Sequence, residues 1–201
     1  MPDVSGVVLA GGQSRRLGTN KAFVKIGGVD LIARVIGQLR QVSDDILVVA
    51  NAQEEYRGLG VAVVGDVWPG KGSLGGIYSG LRAARYSRAL VVACDMPFLD
   101  VRLLRFMILL SQDYDVVIPN LQGLFEPLHA VYSKACLQPM EELLRAGDLR
   151  IIDFMGQVRV RHVGQAEVEI FDAQRLSLFN VNTPEDLRRA EKLAARGGFQ
   201  R

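Results

Sequence analysis

The sequence predicts an α/β fold of three layers: a mostly parallel, Rossmann-like sheet with helices on both faces. Three observations carry this. Short apolar runs recur along the chain, and most are followed by a segment of helical periodicity. Alternating strands and helices favour parallel pairing through crossovers. The segments richest in Gly, Arg, Asp and Asn come directly after such runs, and open α/β sheets bind ligands just outside the carboxyl ends of their strands.

In chain order, Val4–Ala10 reads as a buried first strand. Asp30 stands where an N-cap belongs, before Leu31, Val35, Ile36 and Leu39 at helical spacing. Ile46–Ala50 and Val61–Val64 are the next strands. Leu74–Ala84 is a helix with Ile77, Leu81 and Ala84 on one face and Ser73 as its cap. Ala89–Cys94 is a strand and Val101–Leu110 a well-buried helix. Val116–Ile118, His129–Tyr132 and Val158–Val163 are short strands; Ala135–Arg145 and Leu149–Met155 are helices. Thr183–Ala195 closes the pattern as an amphipathic helix, with Thr183 as cap, Pro184 at its first position, and Glu185 and Asp186 in its first turn. A length of 201 residues suits one domain, 1–201, with its core at about 4–195.

Composition narrows the classes. At 49% hydrophobic residues the chain is globular rather than disordered. A net charge of +2 argues against nucleic acid as the main ligand. No apolar run is long enough to cross a membrane and no basic-then-apolar leader opens the chain, so a cytoplasmic location is expected. Cys94 and Cys136 lack metal-type spacing; Cys94 is expected to pack as a small hydrophobe, without a disulfide. His129 and His162 are far apart in sequence and support neither a His-rich metal site nor a Ser-His-Asp hydrolase; His162 reads as an ordinary histidine.

The chemistry concentrates after the first strand, in Leu9-Ala10-Gly11-Gly12-Gln13-Ser14-Arg15-Arg16-Leu17-Gly18-Thr19-Asn20-Lys21. Glycines admit close approach of a ligand to backbone, and N–H groups with cationic side chains suit a triphosphate. Two common phosphate motifs fail. Gly18 is followed by Thr19 rather than Lys, against the G-x-x-x-x-G-K-[ST] loop. The dinucleotide fingerprint opens a helix at once, whereas here residues 21–28 intervene and end in the turn-like Gly27-Gly28.

Other segments follow strands in the same way. Asn51 can read a base edge or bond a nearby loop. Asp66 can accept base N–H groups, help to hold a metal, or cap its own loop. Gly75 and Gly76 weaken a helix start unless a base or ribose approaches, or the helix packs tightly on the sheet. Asp95, just past Val91-Val92-Ala93, is costly if isolated and buried. A Mg²⁺ ion shared with substrate phosphates would remove that cost. Asn180 and Asn182 flank Val181 before the last helix and suit a substrate or a metal-bound water, and Glu126-Pro127-Leu128-His129 is a further loop that could face the pocket. With no covalent nucleophile evident, the set reads as a positioning and charge-neutralising site for phosphoryl-type transfer.

At these residues the chain resembles the molybdenum cofactor guanylyltransferase (MobA) family, from about Val4 to Ala195. The likeness rests on Leu9-Ala10-Gly11-Gly12 with Ser14-Arg15-Arg16-Leu17-Gly18 and Lys21, on Asp95-Met96-Pro97, and on Asn180-Val181-Asn182-Thr183-Pro184. The resemblance implies a fold of the nucleotide-diphospho-sugar transferase type. It also implies transfer of GMP from GTP to molybdopterin or the molybdenum cofactor, with Mg²⁺ as cofactor and release of pyrophosphate. Catalytic roles would fall to Arg15, Arg16, Lys21 and Asp95, with Asp95 holding the metal. Leu9, Ala10, Gly11, Gly12, Ser14, Gly18 and Lys21 would bind the triphosphate, and Asn51, Asp66, Gly75 and Gly76 the guanosine. Asn180 and Asn182 would face the pterin or help the metal. Gly11, where cytidylyl relatives usually carry alanine, favours a purine. The chain departs from the pattern at Leu17, where methionine is usual, and more so at Glu126-Pro127-Leu128. Molybdoenzymes or cofactor carriers would receive the product. The alternatives are a cytidylyl- or sugar-phosphate nucleotidyltransferase, and a non-catalytic protein that delivers cofactor to an apoenzyme.

Overall fold

The computed structural model describes residues 3–10 and 20–196. Strand β1 (Ser5–Leu9) is followed by the small hairpin β2 (Lys25–Ile26) and β3 (Val29–Asp30), then α1 (Leu31–Leu39), β4 (Asp45–Val49), β5 (Ala62–Val64) and α2 (Gly72–Ala83). Next come β6 (Arg88–Ala93), α3 (Val101–Leu110), β7 (Val116–Leu121), β8 (Leu124–Phe125), β9 (His129–Ser133) and α4 (Leu137–Ala146). β10 (Val160–Gly164), α5 (Gln165–Phe171) and α6 (Pro184–Ala195) complete the order.

The main sheet runs β10-β7-β9-β6-β1-β4-β5, with β8 paired to β7. β1 is parallel to both β4 and β6, and β5 is parallel to β4. β9 reverses direction between β6 and β7, and the short β8 also runs antiparallel to β7. Adjacent parallel strands end in register, Leu9 beside both Val49 and Ala93. The segments after β1, β4 and β6 therefore leave one edge of the sheet together. From β1 the chain moves outward to β4 and β5 and then returns to β6 on the other side of β1. That reversal is the switch point at which such sheets open a crevice.

Strand residues alternate between two cores, one on each sheet face. Val8, Val48 and Val92 pack with α1 and α3 through Ile32, Val35, Leu103 and Met107. Val7, Val49 and Val91 pack with α2 and α4 through Ile77, Leu81, Met140 and Leu144. Each such fully buried aliphatic side chain contributes about 1.5–3 kcal/mol. α2 lies so close to the sheet that a Cβ at Gly80 would stand 2.4 Å from Val7 Cγ1. A third, smaller core of Ile26, Leu31, Phe98, Val181 and Ala190 fastens α6 and the β2–β3 hairpin over the crevice end. Gly27 and Gly28 turn that hairpin with φ of 57° and 79°, the left-handed pair that a two-residue hairpin requires.

The three-layer, mostly parallel architecture is as expected, and several local expectations are corrected. Lys71, not Ser73, stands at the N-cap position of α2 and makes no side-chain cap bond, because Gly72 enters the helix at once and takes Ser73 with it. Asp30 precedes α1 but makes no side-chain cap; it pairs instead with Lys25 at 2.8 Å. The segment expected as a helix over Leu149–Met155 is a 3-10 stretch, Ile151–Gln157, and residues Lys134–Cys136 form a 3-10 turn ahead of α4. α6 is as expected: Thr183 and Asp186 form a reciprocal capping box, with Pro184 in the first turn. Among the described residues no helix is long and apolar enough to cross a membrane. Cys94 and Cys136 are buried and free.

Candidate active site

Gly11, Gly12, Ser14, Arg15, Arg16 and Gly18 lie outside the described residues. The stems on either side do not. Leu9 ends β1, its carbonyl accepting from Cys94 N at 3.1 Å, and Ala10 N donates to Val49 O at 3.0 Å. Lys21 opens a 3-10 turn, Lys21–Phe23, capped by Asn20, whose side chain accepts from Ala22 N.

That turn aims Lys21 at Asp95. The ammonium donates to Asp95 Oδ2 and, at 2.6 Å, to Asn182 Oδ1. The three residues come from the Lys21–Phe23 turn, the segment just past β6 and the segment before α6. Backbone holds them as well: Val181 N donates to Asp95 O at 2.9 Å. Both partners of the ion pair are largely buried, the side chains 12% and 15% exposed. The second carboxylate oxygen, Asp95 Oδ1, is fully buried and takes no hydrogen bond. An unsatisfied buried acceptor costs about 1–3 kcal/mol, and a cation placed there would remove that cost. No group of three or more His, Cys, Asp or Glu suited to a metal exists among the described residues. A lone carboxylate fits a hard dication that takes its remaining ligands from water and substrate phosphates.

Asp186 stiffens the Asn182 side. Burial pushes its carboxyl up, but N–H bonds from Asn182 and Thr183, the Thr183 hydroxyl and the nearby charge of Lys21 outweigh that and hold it below the usual range. Asn180 does not join the cluster; its amide donates to Leu178 O at 3.2 Å.

A second group gathers past β4 and β5. Asn51 Oδ1 accepts from Asp66 N at 3.3 Å. Asp66 Oδ1 accepts from Trp68 N at 2.9 Å and lies 2.7 Å from the Ser79 hydroxyl. Asp66 thus caps its own loop with one oxygen. A Cβ on Gly75 would meet Trp68 O at 2.9 Å, and one on Gly76 would meet Leu9 Cδ1 at 3.3 Å. Gly75 is thus packed closely against the loop and Gly76 against Leu9 at the sheet.

The Glu126–His129 segment runs beside β6, with Ala93 N donating to Leu128 O at 3.1 Å. Glu126 is half-buried and its carboxyl is pushed up by burial. His129 opens β9, as the expected strand His129–Tyr132 has it, rather than ending a loop that faces the pocket; it is fully buried, with neither ring nitrogen hydrogen-bonded. Burial lowers its pKa to about 4, so it is neutral at physiological pH. His162 lies edge-on to Phe125, centroids 5.2 Å apart. Cys94, its thiol pushed up to about 12 by burial, is a packing residue. Ser79 and Tyr56 contact the site and carry no motif-level signal in the sequence.

A crevice at the switch point of a parallel sheet, lined by a paired lysine and a half-satisfied carboxylate, places the protein among α/β nucleotidyltransferases. A model of the MobA-like NTP transferase domain matches residues 6–162. A probable molybdenum cofactor guanylyltransferase of Pelotomaculum thermopropionicum is 41% identical over 96% of this chain and 95% of its own length. A molybdenum cofactor guanylyltransferase of Desulfosudis oleivorans is 38% identical over 95% and 96%. The crystal structure of molybdopterin-guanine dinucleotide biosynthesis protein A from Archaeoglobus fulgidus superposes with a TM-score of 0.83 at 28% identity, covering 96% of this chain and 100% of that one. The chain belongs to the MobA-like NTP transferase family.

Proposed function

We propose that the protein transfers GMP from GTP to molybdopterin or the molybdenum cofactor, forming the guanine dinucleotide cofactor and pyrophosphate. A terminal phosphate oxygen of the pterin attacks the α-phosphorus of GTP. The bond between the α-phosphorus and its bridging oxygen breaks, and pyrophosphate leaves with the electron pair. The observation that carries this reading is the Lys21–Asp95–Asn182 cluster with its unsatisfied Asp95 Oδ1, supported by relatives that bear the guanylyltransferase name over nearly their whole length.

Lys21 supplies a cation already held in place before substrate arrives, which spares reorganisation when charge builds on the leaving pyrophosphate. Arg15 and Arg16, with the backbone of Gly11, Gly12 and Gly18 and the Ser14 hydroxyl, take the triphosphate oxygens. Asp95, whose Oδ1 is unbonded, would hold Mg²⁺, which would neutralise phosphate charge when bound. Asn51 and Asp66 read the guanine; Asp66 Oδ2 is left for base N–H groups, since Oδ1 serves the loop. Gly75 and Gly76 form the floor beside them. Asn182 and Asn180 face the pterin side, and molybdoenzymes or cofactor carriers receive the product.

The test is turnover of α-labelled GTP with molybdopterin and Mg²⁺, run beside CTP. Labelled guanine dinucleotide with stoichiometric pyrophosphate is expected. A preference for CTP overturns the guanine assignment, and binding of GTP without transfer overturns the enzyme in favour of a delivery protein.

A further inference from the structure

Tyr56 belongs to no phosphate-binding motif, and its surroundings are unusual for a residue of a surface 3-10 stretch, Gln53–Leu59. It is 2% exposed. Its hydroxyl donates to Ala10 O at 2.9 Å and accepts from Asn20 Nδ2 at 3.0 Å. Its ring packs on Phe23, with centroids 5.2 Å apart. One side chain therefore touches the residue after β1, the cap of the Lys21–Phe23 turn and the last residue of that turn. Asn20 is held further by Glu55, which accepts from Nδ2 at 2.5 Å, and its Oδ1 accepts from Ala22 N at 3.1 Å.

We infer that Tyr56 is a positioning residue for Lys21, acting through Asn20. Three hydrogen bonds in series fix the turn: Ala10 to Tyr56, Tyr56 to Asn20, and Asn20 to Ala22. Lys21 is the first residue of that turn, and its long, flexible stem reaches Asp95 and Asn182 from it. A turn free to shift by an ångström would carry the ammonium off both acceptors. Tyr56 touches no reacting atom; it limits where Lys21 begins. This inference rests on the transfer reaction proposed above for its kinetic consequence, though not for its structural one.

Two variants test it. Tyr56→Phe keeps the ring on Phe23 and removes only the hydroxyl; Asn20→Ala removes the cap. Both are expected to lower kcat for GMP transfer roughly tenfold or more, as misplacement of a positioned group does, with KM for GTP changed less. In a Lys21→Ala background, Tyr56→Phe is expected to add no further loss. Independently of any activity, competitive acetylation read by mass spectrometry is expected to label Lys21 several-fold faster in both variants, with exposed Lys25 unchanged as an internal standard. If Lys21 labels at the wild-type rate in folded Tyr56→Phe and Asn20→Ala proteins, the positioning role is overturned. Additive losses with Lys21→Ala overturn it equally. Wild-type protein that transfers no GMP, while Lys21 labelling still responds to Tyr56→Phe, refutes the reaction and leaves the positioning intact.

Discussion

Lys21 and Asp95 are joined through one carboxylate oxygen only: Oδ2 accepts the ammonium, and Oδ1 remains buried and unbonded. The pair is neutral in sum and still short of one positive partner.

Asp95→Asn leaves the largely buried Lys21 ammonium without its counter-ion, a loss that costs about 3–5 kcal/mol in a buried pair. The variant is expected to melt several degrees below the wild type, while transfer by the protein that remains folded falls about 10²–10³-fold. Thermal melts beside product assays check both. Full transfer by the folded variant overturns the catalytic role of Asp95.

Lys21→Ala leaves both oxygens of Asp95 open. Mn²⁺ titrated without nucleotide, with free ion followed by electron paramagnetic resonance, is expected to bind more tightly than to wild type. The ammonium that competes for Oδ2 is gone. Transfer is expected to fall about 10²–10³-fold. Weaker Mn²⁺ binding in this variant contradicts a cation site at Asp95.

His129 is buried with neither ring nitrogen paired, and its pKa is lowered to about 4 by that burial, against the opposing pull of the nearby backbone and of Asp172. Its unfolded-state pKa is about 6.5. Stability is therefore fully present above about pH 6.5 and is lost as pH falls toward about 4, because the unfolded chain takes the proton first. The loss between about pH 7.5 and about pH 5 is expected to be about 2 kcal/mol. His129→Leu removes this dependence; denaturant titrations at the two pH values measure it.

Gly80→Ala places a Cβ 2.4 Å from Val7 Cγ1 and 3.1 Å from Val49 Cγ2, both on strands held by pairing on two sides. The expected destabilisation is about 1–3 kcal/mol, against the gain in helix propensity of about 1 kcal/mol. A melting temperature several degrees lower, with GTP affinity retained, is the expected reading.

The apolar runs and their helical neighbours were legible because burial on both sheet faces leaves a continuous hydrophobic signal, as in Ala89–Ala93, and because α1, α3 and α6 repeat at helical spacing. Strand direction leaves no such trace: nothing in His129-Ala130-Val131-Tyr132 marks β9 as the reversed strand. α5 escaped because its seven residues bury only Val168. At the site, glycines, cations and Asp95 stood out by type, whereas the bond from Lys21 to Asp95 spans 74 residues and that to Asn182 spans 161. Tyr56 was invisible for a related reason. Its role depends on three contacts distant along the chain, and a lone tyrosine between Glu55 and Arg57 carries no periodicity or motif.

The bond from Val181 N to Asp95 O has a consequence for synthesis on the ribosome. The last strand of the sheet, β10, ends at Gly164, and Val181 and Asn182 emerge later. A nascent chain can complete its sheet and both large cores before Lys21 gains its second acceptor and Asp95 its backbone tie. The residues that build the sheet and most of both large cores thus lie upstream of those that complete the Lys21–Asp95–Asn182 cluster.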